Sequence, residues 1–219
     1  CQKDDTLQYN NLTMGNIVEG KFVSDQGNVF NIVDQSCVGE LGKEKRAMVL
    51  CDVLNQTSGG SDNEYDVRLT NFTRVLEKDV VALESAAEGD LAVENPIHIE
   101  QLWFSGGYIN MMIKYNAKIG SETKHLVNLV YSKDEQGRYV LNLRHNAFGE
   151  VWTEENSSDM IIGSGYVSFP ITKIVKEDNA KLVFKWKWHK DVGSRFDYLF
   201  EKDYSFEFDW TRSGFEHKF

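Results

Sequence analysis

The sequence has no long apolar run and almost no helical periodicity. None of its apolar stretches approaches the roughly 20 residues that a membrane-spanning helix needs, although 41% of the 219 residues are hydrophobic. Apolar and polar residues instead alternate with a period of two over many short segments, which is typical of β-strands. The pattern predicts an all-β protein.

Basic residues are also scarce, and the formal net charge is −10. The first 91 residues hold 8 Lys or Arg against 16 Asp or Glu. Binding to nucleic acid depends on clustered basic side chains that displace counterions from phosphates. The composition therefore argues against a nucleic-acid partner and against a polybasic patch for membranes.

Motifs for catalysis or metal binding are missing. The sequence has no Cys-x-x-Cys, His-Glu-x-x-His or Gly-x-Ser-x-Gly spacing, and its five histidines are scattered. His98 and Glu100 share a strand face, but such pairs are too common to define a ligand set. We expect no metal, no cofactor and no enzyme activity. A hydrolase is the third reading, because glycosidase carboxylates can lie far apart in sequence.

The pattern of strands and turns in the first half predicts a small barrel. Strands are predicted at residues 14–23, 28–33, 46–54, 65–75 and 80–84. Ser24 to Gly27 and Ser58 to Asn63 supply turn residues between them. Five short strands suit a closed barrel that leaves no exposed edge. We predict an OB-like five-stranded barrel over residues 13–91, after a polar tether at residues 1–12.

The second half begins where composition changes. Pro96 is tolerated at the start of a strand but not inside a sheet, so a second domain is predicted at residues 92–219. Its strands are expected at 97–104, 108–117, 125–131, 138–143, 165–175, 181–189 and 204–210. Two of these strands place large apolar residues on one face only. They are Leu182, Phe184, Trp186 and Trp188 in the strand at 181–189, and Phe206, Phe208 and Trp210 in the strand at 204–210. Burying such faces predicts an antiparallel β-sandwich.

Cysteine has two expected uses. Cys1 begins the chain, which is typical of a bacterial lipoprotein after removal of its signal peptide, so Cys1 is predicted to carry the lipid anchor. The alternative is a fragment cut at this position. Cys37 and Cys51 lie equally far from Glu44, and a hairpin centred there would allow a disulfide. The alternative is two buried free thiols.

Several segments resemble one known family. Residues 96–110, PIHIEQLWFSGGYIN, are similar to the core segment of the NigD-like lipoproteins of the Bacteroidetes, and the later Leu143-Arg144-His145-Asn146 segment is similar as well. The resemblance implies an N-terminal OB-type domain, a C-terminal β-sandwich and a link to bacteriocin gene clusters by gene location. It supplies no catalytic residues.

Two tether features resemble signals of the same bacteria. Lys3-Asp4-Asp5 resembles an acidic export signal for surface lipoproteins, and Asp5-Thr6-Leu7 resembles an O-glycosylation sequence, with Thr6 as the acceptor. We therefore expect a lipid-anchored, surface-exposed outer-membrane protein. The periplasmic face is the other location considered.

The expected function is non-catalytic binding of a protein or glycan at the cell envelope, related to bacteriocin export or immunity. The alternative is a surface glycan-binding accessory lipoprotein. Aromatic rings that stack on sugars would then be supplied by Trp152, Trp103 and Tyr108. Trp186 and Trp188 are interpreted as core residues because they alternate with lysines.

Overall fold

The computed structural model describes residues 8–41, 43–189, 201–211 and 215–218 of the chain. The chain divides into two compact units, residues 1–77 and 78–219. This division precedes the boundary expected at residue 92. Over the described ranges the elements are strands and short 3-10 turns, so the all-β prediction is confirmed. No helix in these ranges is long and apolar enough to cross a membrane.

The first unit is a five-stranded barrel. Its strands are β1 (Gln8–Val18), β2 (Lys21–Ser24), β3 (Val29–Asp34), β4 (Arg46–Gln56) and β5 (Glu64–Glu77). Antiparallel pairs join β1 to β2, β2 to β3, β4 to β5 and β1 to β4. A parallel pair joins β3 to β5 and closes the ring. This is the OB-like closure that the sequence predicts.

Two strand predictions in this unit were wrong. The strand expected at 14–23 is broken by a tight turn, because Glu19 and Gly20 adopt φ angles of 50° and 80°, the left-handed conformation that two-residue hairpin turns require. The strand expected at 80–84 shrinks to β6 (Val81–Ala82), which pairs with a strand of the second unit. The barrel therefore has the predicted number of strands, and β3, β4 and β5 correspond to three of the predicted ones.

The barrel unit has a mainly apolar core and a buried ion pair. Phe22 and Phe30 are buried and stack with their ring centroids 5.9 Å apart. Arg46 donates to both carboxylate oxygens of Asp25, at 2.9 and 2.6 Å. The two side chains are 0% and 2% exposed. Such a pair is costly to break, because removal of one partner leaves a buried charge.

The second unit is a sandwich of two sheets. The strands that follow β6 are β7 (His98–Ser105), β8 (Tyr108–Lys118), β9 (Leu126–Lys133), β10 (Tyr139–Asn146), β11 (Met160–Phe169), β12 (Asn179–His189), β13 (Glu201–Thr211) and β14 (Phe215–Lys218). One sheet has the order β14-β7-β8-β11, and the other has the order β13-β12-β10-β9-β6.

The sandwich core lies between these sheets. Leu102 and Met111 from one sheet and Leu141 and Phe184 from the other are each 0% exposed. Trp186 is also buried, so its interpretation as a core residue is confirmed. The side chains of Trp188, Phe206 and Phe208 lie outside the described part. The strand predicted at 165–175 instead starts at Met160 and ends at Phe169, directly before Pro170, which cannot donate to the ladder.

Candidate functional site

Two histidines meet where the β9–β10 hairpin opens. His125 directly precedes β9, and His145 lies near the end of β10, where it is paired with Val127. Nδ1 of His125 is 3.0 Å from Nε2 of His145, and the ring centroids are 5.1 Å apart. Nδ1 of His145 is 2.9 Å from the carbonyl oxygen of Pro96. His145 is 1% exposed, so this pair is part of the interior.

Glu150 completes the network from the loop after β10. One of its carboxylate oxygens, Oε2, lies 3.2 Å from Nε2 of His125 and accepts the backbone N–H of Lys118 at 3.0 Å. The other oxygen, Oε1, accepts the hydroxyl of Ser121. The side chains of His125 and Glu150 are 4% and 9% exposed.

The surroundings of Glu150 favour its ionised form. Burial raises the pKa of this carboxyl, but hydrogen bonds from the Lys118 N–H, Ser121, Thr123 and His125 outweigh burial and lower the pKa to about 2. A carboxylate that accepts several hydrogen bonds is stabilised as the anion. Glu150 therefore enters the network as a charged acceptor.

The number of protons in the network follows from its geometry. The Pro96 carbonyl and the Glu150 carboxylate can only accept, so the three contacts from Pro96 through both imidazoles to Glu150 need three N–H groups. Two neutral imidazoles carry one N–H each. The arrangement is satisfied when the pair holds one additional proton. Burial lowers the pKa of His145 to about 4, which favours the neutral form of this ring.

Tyr115 on β8 covers both imidazoles. Its ring centroid is 4.9 Å from that of His125 and 5.7 Å from that of His145. Gly163 lies directly opposite Tyr115 on β11, and a Cβ at Gly163 would be 2.6 Å from the Tyr115 ring. The glycine therefore provides the space in which the tyrosine ring lies over the histidines.

The loop that carries Glu150 also presents a strained aromatic residue. Phe148 has a φ of 49° and is 49% exposed. Positive φ is rare for a bulky residue and costs on the order of 1–3 kcal/mol, and such strain is concentrated at functional sites. The loop is held by bonds from the Ala147 N–H to Asn95 Oδ1 and from the Phe148 N–H to Asn146 Oδ1, both 2.9 Å.

Two exposed isoleucines lie at the end of the neighbouring strands. Ile119 is 54% exposed and follows Lys118, whose N–H is bound by Glu150. Ile161 is 50% exposed and is paired with Ala117, so it lies diagonally across from Ile119 on the same face. We call Ile119, Phe148 and Ile161 the Phe148 patch.

Two of the three aromatic residues predicted for glycan stacking share one face of a strand pair. Trp103, Tyr108 and Trp152 are each half-buried. Trp103 and Tyr108 share the outer face of the β7–β8 pair, and the Trp103 ring packs edge to face against Tyr166 at 6.3 Å. Trp152 lies in the loop after Glu150. Their binding to glycans stays a prediction.

The predicted bridge between Cys37 and Cys51 was wrong. Cys51 is a free thiol that points into the barrel core and is 3% exposed. The expected hairpin around Glu44 does not form, because β3 pairs with β2 and β5 while β4 pairs with β1 and β5. Cys37 lies in the loop after β3. Cys1 and Thr6 lie outside the described residues, so the anchor and the glycosylation site stay predictions.

The His125–His145–Glu150 network was not predicted from the sequence. The two histidines are 20 positions apart, but they flank the strands predicted at 125–131 and 138–143, and the antiparallel pairing of these strands brings them together. Nothing in the sequence marks Phe148 or Glu150. In the described ranges, no group of three His, Cys, Asp or Glu side chains is arranged to hold a metal ion.

Comparison with known families identifies the second unit. Residues 79–201, more than half of the chain, match the NigD-like C-terminal beta sandwich domain. The chain belongs to the NigD-like family. The resemblance found in the sequence is thereby confirmed, and no curated protein matches the chain.

Solved structures of low sequence identity share the fold of this NigD-like chain. A NigD-like immunity protein from Bacteroides caccae has a TM-score of 0.59 at 14% identity, covering 94% of this chain and 99% of its own. A candidate lipoprotein from Bacteroides fragilis has a TM-score of 0.62 at 14% identity, covering 94% and 100%. A candidate toxin-related protein from Parabacteroides distasonis has a TM-score of 0.57 at 18% identity, covering 92% and 93%.

Proposed function

We propose that this NigD-like protein is a non-catalytic, lipid-anchored component of the outer membrane that binds a protein partner through the Phe148 patch. A role in bacteriocin export or immunity is part of the proposal. Family membership supports it, as do the names of two structural neighbours, an immunity protein and a candidate lipoprotein.

The observation that carries the proposal is the exposed, strained Phe148. An apolar ring kept in solvent at a cost in backbone energy contributes nothing to the core. Aromatic anchors surrounded by smaller apolar side chains are typical of the centre of protein interfaces. Ile119 and Ile161 are two further exposed apolar side chains, at the strand end where Glu150 of the same loop accepts the Lys118 N–H.

The polar network beside the patch supports binding rather than catalysis. Each ring nitrogen of His125 and His145 faces a partner within the network, and both Glu150 oxygens accept hydrogen bonds. A general acid or base needs a proton position open to the substrate. The network therefore positions the loop instead of offering a reactive group.

The proposed interface is tested with Phe148→Asn. Asparagine tolerates positive φ better than phenylalanine, so we expect this variant to be as stable as the wild type or more stable, by up to about 1 kcal/mol, while partner binding is lost. Stability is measured by urea unfolding, and binding by co-isolation after chemical cross-linking in a Bacteroides host. Unchanged co-isolation would refute the interface.

Neighbouring residues on β11 provide a matched pair of variants. Ile161 and Ile162 are 50% and 44% exposed and point to opposite faces. Ile161→Asp should abolish co-isolation, and Ile162→Asp should leave it unchanged. The anchor is tested separately by palmitate labelling of the full-length precursor, which Cys1→Ser should prevent.

A glycan partner is the second candidate, and one observation favours it. Trp103 and Tyr166 form an edge-to-face pair of half-buried rings on the outer face of one sheet. Exposed aromatic faces can stack on sugars. Trp103→Ala should then remove any oligosaccharide-induced change in tryptophan fluorescence while protein co-isolation persists.

A further inference from the structure

Residues 147–150, the Phe148 loop, are held by several hydrogen bonds, of which one depends on a titrating ring. The backbone contacts to Asn95, Asn146 and Ala147 join groups that do not titrate near neutral pH, and Glu150 also accepts the Lys118 N–H and the Ser121 hydroxyl. The contact from Glu150 to His125 instead needs a proton on an imidazole nitrogen. This one attachment of the loop therefore depends on the protonation of the histidine pair.

We propose that the His125–His145 pair is a proton-controlled latch, which holds the Phe148 loop in place while the pair carries one additional proton and loosens the loop when that proton is lost. The latch can be tested without a binding partner. Its consequence for partner affinity rests on the proposed function of the Phe148 patch.

Loss of the proton removes one bond whichever nitrogen of His125 keeps its hydrogen. The Pro96 carbonyl holds the single N–H of His145 on Nδ1, so Nε2 of His145 presents a lone pair. If His125 keeps its hydrogen on Nδ1, its Nε2 lone pair faces the Glu150 carboxylate at 3.2 Å. If it keeps the hydrogen on Nε2, two lone pairs face each other at 3.0 Å. In a buried site either contact is repulsive.

A second additional proton on the histidine pair also disrupts the network. A protonated His145 presents an N–H toward the N–H of His125 and places two cations side by side. The latch is therefore closed over a window of pH. It opens as pH rises and the pair loses its additional proton, and it opens again in acid when His145 is protonated as well.

The groups around the histidine pair are compatible with one additional positive charge on it. Tyr115 on β8 and Glu150 are the titratable side chains in contact with the rings. The segment before β7 contributes the Pro96 carbonyl and the Asn95 N–H, which donates to the His145 carbonyl at 2.7 Å. Exposed charges at the rim come from Lys118, Glu122 and Lys124. Arg144, on the same strand as His145, bonds instead to the Ala86 carbonyl.

Nuclear magnetic resonance of the full chain tests the latch. From about pH 5 to about pH 8, the range in which imidazoles change charge, the ring nitrogens of the histidine pair and the Lys118 amide should shift together. Exchange of the Glu150 amide, which donates to the Ala147 carbonyl at 2.9 Å, should be about tenfold faster at the alkaline end after correction for the intrinsic pH dependence of exchange, because a hydrogen bond to a charged group is lost.

Two variants distinguish a contact that depends on pH from one that holds the loop equally at every pH. Glutamine at position 125 can donate to Glu150 without titrating, so His125→Gln should make protection of the Glu150 amide independent of pH. His98→Gln, which alters a histidine on β7, should leave the wild-type pH dependence intact. Protection at Glu150 that does not change while the ring signals of the histidine pair shift with pH in the wild type would overturn the proposal, and this measurement needs no variant.

The result also distinguishes the latch from the binding proposal. If the titration is seen but Phe148→Asn retains its partner, the latch stands and the proposed interface fails. If the titration is absent but Phe148→Asn loses its partner, the interface stands and the latch fails.

Discussion

The contact between Gly163 and Tyr115 gives a sharp test of how the histidine network is built. A methyl group at Gly163 would lie 2.6 Å from Cε2, 2.7 Å from Cζ and 3.0 Å from the hydroxyl oxygen of Tyr115. Favourable carbon contacts are about 3.5–4.0 Å, so the ring must move by about 1 Å. It cannot do so without displacing the rings of His125 and His145.

We therefore expect Gly163→Ala to destabilise the protein. Overpacking of a filled interior typically costs about 1–3 kcal/mol. In a domain of about 150–250 residues this corresponds to a fall in Tm of roughly 2–4 °C per kcal/mol. The assay is thermal and urea unfolding followed by tryptophan fluorescence, with ring resonances of His125 as a local probe.

Gly165 is the matched control for this substitution. It lies two residues further along β11, on the same face, and an added Cβ has no neighbour within 4 Å. Gly165→Ala should be neutral or stabilise the protein by about 0.4–1 kcal/mol, because alanine restricts the unfolded chain. Equal effects of the two variants, or an unperturbed His125 resonance in Gly163→Ala, would refute the reasoning.

Three further predictions concern buried side chains, and one of them has an exposed ion pair as its comparison. The stability that Glu150 contributes is present above its unfolded pKa near 4.5 and is lost as pH falls toward about 2. Glu150→Gln should therefore weaken the pH dependence of the free energy of unfolding, measured in urea, between about pH 5 and about pH 2. Arg46→Met removes the cation that binds the buried Asp25 carboxylate and should cost about 3–5 kcal/mol in urea unfolding. Lys173→Met, in a pair with Asp79 that is 62% and 73% exposed, should cost less than about 1 kcal/mol. Burial raises the pKa of the Cys51 thiol to about 12. Iodoacetamide should therefore label Cys51 only after denaturation, which is checked by mass spectrometry of protein treated with the reagent in its native state.

The fold class was predictable because burial of one strand face imposes a period of two. The alternation of Leu182, Phe184 and Trp186 is read directly from the sequence, and these residues are buried. The exact strands were harder to assign. The turn at Glu19 and Gly20 lacks the Asn-Gly or Asp-Gly pair that usually marks such hairpins, and β6 is only two residues long.

Pairing between distant strands was not predictable from local patterns. The Cys37–Cys51 prediction assumed that consecutive strands pair, but a barrel closed by β3 with β5 separates β3 from β4. The histidine network depends on the β9–β10 register and on a loop whose course the sequence does not specify. The side chain of Phe148 is likewise conspicuous only because its φ is positive and its ring is exposed.

The most direct test of the account is photo-cross-linking in living Bacteroides cells with a benzoylphenylalanine at position 148. The account predicts one discrete cross-linked species in the outer-membrane fraction, which disappears when Ile161→Asp is added and is absent when the probe is placed at position 162. No cross-link at position 148, or equal cross-links at positions 148 and 162, would contradict it.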